Sequence, residues 1–183
     1  MKEWFENKTI SIVGNSASLL DQKFGSEIDT ADVVVRINRG GFRFPDFPEQ
    51  MGKGLDIWCM QNIKQNRRYF KKSCTKTCKK IQMDTIDVSP DFSDLADYFF
   101  TDQYRFDLEK DLTKKASTGL RVLYLIDKMD PKSVNVYGFD WKQTYSWHER
   151  RKCIAHIFEE EKQYCIDNFF NKQSFNLRGY ALD

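Results

Sequence analysis

Histidine is the scarcest reactive residue in this chain: there are two, His148 and His156, and they lie eight positions apart. No Asp-x-Asp occurs, the pattern with which many nucleotide-sugar enzymes hold a divalent metal at a diphosphate. The five cysteines offer only Cys74-x3-Cys78, without the second pair that a structural zinc needs. The sequence therefore predicts chemistry without a metal or other cofactor. Long apolar runs are missing too, so neither a membrane span nor a secretory signal is expected. Charge is nearly balanced, 29 basic against 27 acidic side chains, and declares no polyanionic partner for the whole molecule. The 183 residues suffice for one domain with a real core, residues 1–183, and show no repeat or linker.

Two short stretches carry the information. In the first, Ile10, Ile12 and Val13 form a β-branched run that ends at Gly14. Gly14-Asn15-Ser16-Ala17-Ser18 then reads as a tight turn opening a helix, with Ser16 or Ser18 as cap. Free N–H groups at a helix start favour an anion. Asp32 to Ile37 reads as a central strand, ending in Arg36 and Asn38 at the sheet edge where ligands commonly sit.

The second stretch repeats this logic. Ser117-Thr118-Gly119 precedes Leu120, Val122, Leu123, Leu125 and Ile126 at helical spacing. Its hydroxyls and N–H groups suit a phosphate. Pro131 lies beyond that helix, and Val134, Val136 and Tyr137 make another strand, stopped by Gly138. Taken alone, each stretch is also an ordinary strand, turn and helix.

Together they resemble a known family. Val13-Gly14-Asn15-Ser16 through Val35-Arg36-Ile37-Asn38 is similar to the large sialylmotif of the sialyltransferases, glycosyltransferase family 29. Ser117-Thr118-Gly119-Leu120 through Val136-Tyr137-Gly138-Phe139 resembles their small motif. His156-Ile157-Phe158-Glu159-Glu160-Glu161 has the His-x4-Glu pattern of the very small motif. Tyr145-Ser146-Trp147-His148-Glu149 stands in place of the short aromatic motif, which is blurred.

The resemblance implies a donor nucleotide site at Gly14, Asn15, Ser16, Asn38, Ser117, Thr118, Gly119, Gly138 and Phe139, and His156 as general base. Imidazole is suited to that task near neutral pH. His148 would serve the leaving phosphate or face solvent. Glu161 would orient or cap near His156, or belong to a solvated face at Glu159 to Glu161. The implied reaction is inverting, metal-independent transfer of a sugar from a nucleotide-sugar donor, cytidine monophosphate-linked in the resembled family, to an acceptor hydroxyl on a glycan. Eukaryotic members are membrane-anchored and lumenal, with a disulfide joining the two motifs. Neither motif has a cysteine here, so the expectation is a minimal bacterial or phage form in a reducing cytoplasm.

The Lys64 to Lys80 run, with Lys64, Arg67, Arg68, Lys71 and Lys72 and no acidic residue, reads as a solvated helix and loop or as a polyanion-binding acceptor surface. The second reading opens an alternative, a phage enzyme adding another sugar, for example a pentose, to a hydroxymethylated base in DNA. A catalytically silent nucleotide-binding protein of the same fold is a further alternative.

The alternation of elements predicts an α/β fold: a Rossmann-like three-layer sandwich with a mostly parallel central sheet, a GT-A-like variant, its two motifs meeting at the carboxyl ends of the strands. Leu55 to Met60 is expected as a strand and Ala155 to Phe170 as a final helix. Trp4 and Phe5 should pack on the first strand. Phe92, Tyr98, Phe99, Phe100, Tyr104 and Phe106 are expected mostly in the core, with some lining the acceptor cleft.

Overall fold

The structure is a computed structural model that describes residues 1–62, 66–70, 75–84, 95–148 and 155–180. Its strands are β1 (Thr9–Val13), β2 (Val33–Ile37), β3 (Ile57–Met60), β4 (Lys79–Gln82), β5 (Tyr98–Phe99), β6 (Ser133–Tyr137) and β7 (Phe175–Arg178). Its α-helices are α1 (Gly25–Ile28), α2 (Gly40–Arg43), α3 (Pro48–Met51), α4 (Asp102–Glu109), α5 (Thr118–Asp127) and α6 (Phe158–Cys165). The strands form one seven-stranded sheet in the order β5-β4-β3-β2-β1-β6-β7. Every pairing in it is parallel.

This order decides where a ligand can sit. From β1 the chain builds outward to β5, then returns through α4 and α5 to lay β6 against the other side of β1. The direction of winding therefore reverses between β1 and β6. In open α/β sheets the crevice beyond the carboxyl ends of such a pair is the binding position. Register places Val13 opposite Tyr137, so Gly14 and Gly138 emerge side by side.

Strand periodicity sorts the two faces. Ile10, Ile12, Val33, Val35, Ile37, Ile57, Cys59, Val134 and Val136 join one core with the buried face of α5. Val13, Val34 and Tyr137 point to the opposite side and pack with Leu19, Ile28, Phe44 and Met51. Phe5 is fully buried in the first core, and Trp4 packs against it. Of the expected core aromatics, Phe100 is fully buried, but Phe106 is 63% exposed and Phe92 lies outside the described residues. Phe106 sits on the outer side of α4, where Arg105 covers its ring.

Three local expectations need correction. The turn after Gly14 opens a short 3-10 segment, Ala17–Asp21, rather than an α-helix; Ser16 caps it by accepting from the Ser18 N–H. The last helix begins at Phe158, so His156 stands before it, and it ends in a π-helical turn over Ile166–Phe170. Arg36 is not at a ligand edge: although next to last in β2, it is 1% exposed.

A buried guanidinium needs acceptors, and α3 with the loop after it supplies them. Arg36 donates from Nε to the Gly54 carbonyl (2.7 Å) and from a terminal nitrogen to the Met51 carbonyl at the end of α3 (2.6 Å). Its cationic carbon lies 3.8 Å from the centre of the Phe44 ring. Arg36→Ala would strand those carbonyls and open a hole beneath Phe44. The expected loss is about 2–4 kcal/mol of stability, read from the urea midpoint at unchanged denaturant slope; a loss below about 1 kcal/mol contradicts this role.

Candidate active site

The two glycine turns define the floor of a cavity at the switch point. Gly14 donates its N–H to the Tyr137 carbonyl at 2.8 Å, continuing the ladder one residue past β1. A Cβ at Gly14 would stand 2.5 Å from the Gly138 carbonyl and 2.8 Å from the Phe139 ring. A Cβ at Gly119 would stand 2.9 Å from the same ring. Phe139 is thus held between the first turn and the start of α5, and it locks the two sequence stretches together. Gly138 has φ +67, a conformation strained for other residues.

Around this floor lies a cavity of about 520 Å³. All of Gly14, Asn15, Ser16, Asn38, Ser117, Thr118, Gly119, Gly138, Phe139, His148 and His156 line it. Residues 120 or more positions apart in the chain therefore share one wall, as in the Ser16 to Asp140 contact. Asn15 donates from Nδ2 to the Ile37 carbonyl (3.1 Å), and its Oδ1 has no partner among the described residues. Asn38 has φ +47, and its Oδ1 accepts from the Gln61 N–H (2.7 Å). It braces the ends of β2 and β3 while lining the space. Ser16 is 6% exposed, and its hydroxyl donates to Asp140 Oδ2 at 2.6 Å.

The opposite wall is the start of α5. Ser117 caps it, its Oγ accepting from the Leu120 N–H at 3.3 Å. The same residue is gripped by Glu161 of α6. Ser117 donates its N–H to Oε1 and its hydroxyl to Oε2, both at 2.6 Å. Glu161 is 4% exposed. Burial raises its pKa, opposed by the Ser117 donors and by the charges of His156 and Arg121. Glu161 is therefore a buried clamp and not part of a solvated face. Among the described residues nothing accepts from the N–H groups of Thr118 and Gly119, the first two of this ten-residue helix.

His156 lies next to the clamp, its Nδ1 4.0 Å from Glu161 Oε1. That nitrogen is 2.8 Å from the Lys115 carbonyl. A carbonyl only accepts, so Nδ1 carries the proton and Nε2 keeps the lone pair in the neutral ring. A base at Nε2, held by a fixed second nitrogen, is the arrangement proton abstraction needs.

The sequence reading missed several lining residues. Arg39, Gln61, Asn62 and Asn66 follow β2 and β3, and Trp141, Lys142 and Ser146 follow β6. The segment at Ser146 bridges Ser16 in antiparallel fashion. These loops carry no periodic pattern, and only their position after apolar strands marks them. Cys165 also lines the cavity, but burial pushes its thiol pKa well up, so it is an inert wall. Among the described residues, no three His, Cys, Asp or Glu side chains converge as metal ligands would. Of the basic run, Lys64, Lys71 and Lys72 and the Arg67 side chain lie outside the described residues. Arg68 is exposed, stacks over Tyr69 and does not line the cavity.

Residues 5–62 match the family model for glycosyltransferase family 29 (sialyltransferase). Over 98% of this chain and 72% of the other, the structure is similar to a mammalian sialyltransferase in complex with Gal-beta-1-3GalNAc-ortho-nitrophenol, with a TM-score of 0.72 at 15% identity. The fold is sialyltransferase-like. The sialyltransferase CstII from Campylobacter jejuni, in complex with cytidine-5'-monophosphate, is similar at TM-score 0.62 and 13% identity, over 94% of this chain and 80% of that one. An alpha-2,3-sialyltransferase from Campylobacter jejuni in apo form also matches at TM-score 0.62 and 13% identity, over 93% and 75%. No curated protein sequence matches. The sialyltransferase-like sheet thus extends well beyond the residues matched by the family model. No helix among the described residues is long and apolar enough to cross a membrane.

The Glu161 clamp gives a pH signature. A carboxyl whose folded pKa is raised holds its proton longer in the native state than in the unfolded chain. Its contribution to stability is therefore fully present below the unfolded pKa, near 4.3, and is lost as pH rises through the folded value. Glu161→Gln removes this titration. The stability of the variant relative to wild type should rise as pH increases from about 4, measured by urea unfolding in a pH series. A flat difference would contradict the raised pKa.

Proposed function

We propose that this chain is a metal-independent, inverting glycosyltransferase that takes its sugar from a cytidine monophosphate-linked donor. The acceptor hydroxyl's oxygen bonds to the anomeric carbon while the bond from that carbon to the phosphate oxygen breaks. Its electron pair leaves with the nucleotide monophosphate, and the hydroxyl proton passes to His156 Nε2. A single displacement inverts the anomeric centre. The observation that carries this reading is the His156 ring, proton-bearing at Nδ1 against the Lys115 carbonyl, in the same cavity as both glycine turns. The sequence match of residues 5–62 and the sialyltransferase-like fold support it.

The proposed donor lies across the turn at Gly14, with Asn15 and Asn38 on one side and the start of α5 on the other. Metal independence draws on the lack of Asp-x-Asp in the sequence and on a helix start that offers N–H groups to a phosphate. A glycan is the proposed acceptor class. The modified-DNA alternative drew on the basic run, of which Lys64, Lys71, Lys72 and the Arg67 side chain are outside the described residues, and no observation favours it.

Calorimetric titration tests the donor. Cytidine monophosphate should bind without added metal at least about tenfold more tightly than uridine monophosphate; the reverse preference would overturn the cytidine assignment. Release of cytidine monophosphate from CMP-N-acetylneuraminic acid tests the base. His156→Ala should lower turnover by about a hundredfold or more while nucleotide affinity stays within about threefold. Near-normal turnover in that variant would remove His156 from the chemistry.

A further inference from the structure

Beyond β6 the backbone does something costly. Trp141 (φ 48) and Lys142 (φ 65) are two successive non-glycine residues in the left-handed region. Such strain persists only where the surroundings enforce it, and it clusters at functional sites. Asp140 enforces it here. Its Oδ1 accepts from the Lys142 N–H (3.0 Å), and its Oδ2 accepts from the Thr144 N–H (2.9 Å), the Thr144 hydroxyl (2.5 Å) and the Ser16 hydroxyl (2.6 Å). The carboxylate is 4% exposed.

The outcome is a division of labour between two neighbours. Trp141 turns inward, 8% exposed, with its ring against Phe170 and Tyr180. Lys142 stays exposed and lines the cavity. Its Nζ donates to Ser146 Oγ at 2.5 Å, and Ser146 bridges Ser16 at the turn that follows β1. The ammonium therefore stands over the switch-point crevice. No carboxylate forms a salt bridge with it among the described residues. Among the described residues the two carboxylates that line the cavity are buried and engaged, Asp140 as above and Glu161 by Ser117. One donor of the ammonium is used by Ser146, and two remain.

We propose that Lys142 binds the phosphate of the donor nucleotide and neutralises the charge that collects there as the bond to the sugar breaks. This rests on the donor reading above. A lysine suits the task because its charge is compact and can follow a phosphate whose charge rises by one as the sugar departs. The strained turn is what carries that charge to the crevice.

Comparing a nucleotide with its own nucleoside isolates the phosphate. Cytidine monophosphate and cytidine are titrated calorimetrically into wild type, Lys142→Met and Lys142→Arg. Wild type should prefer the monophosphate by about tenfold or more. Lys142→Met should lose most of that preference while its cytidine affinity stays within about twofold, and Lys142→Arg should recover part of it. Turnover of the Met variant should fall more than its nucleotide affinity, since the charge grows in the transition state. An unchanged preference in Lys142→Met overturns the assignment, and so does an equal loss of cytidine and cytidine monophosphate, which would mark a merely structural role. If wild type binds neither compound, the donor reading itself fails and this proposal with it.

Discussion

The approach of two backbones at Gly14 and Gly138 is the constraint on which the site depends. With a Cβ at Gly14 only 2.5 Å from the Gly138 carbonyl, no other residue lets β1 and β6 end side by side with the Phe139 ring against the first turn. Phe139 in turn fills the space that Gly119 leaves at the start of α5. Glu161 closes the circuit by gripping the cap of that helix from α6. Four segments far apart in sequence are thereby fixed around one cavity, and His156 is delivered to its rim by the same clamp.

Parts of this were legible in the sequence because they rest on local patterns. The β-branched runs at Ile10 to Val13 and Val33 to Ile37, and the Ser117 cap before a helical apolar stripe, are decided by propensity and period, and they appear as expected. Arg36 shows where local reading stops. Its position near a strand end suggested a ligand edge, but its environment is set by α3 and Phe44, which only the folded chain brings beneath it. The short 3-10 segment after Ser16 has a similar cause: its cap also serves Asp140, 124 positions away, a partner no window of sequence contains. Phe106 was misjudged because an aromatic on a short helix has no period long enough to reveal its outward side.

Charge in the cavity is arranged by burial more than by number. Acidic and basic side chains both line it, yet the carboxylates face inward to N–H and hydroxyl donors, while Arg39 and Lys142 reach solvent. The nearly neutral composition of the whole chain therefore conceals a cavity whose acidic and basic side chains are sorted by burial.

The pairing of β1 with β6 bears on how the molecule folds. Thr9 and Ser133 are 124 positions apart, yet they are strand partners. Joining such distant segments costs little more in loop entropy than joining nearer ones, but long-range parallel pairing is slow. An intermediate in which only β1 to β5 have assembled holds one wall of the cavity and has no cavity. A ligand of the cavity would thus recognise only chains that have completed this long-range closure, so its binding counts finished molecules rather than collapsed ones.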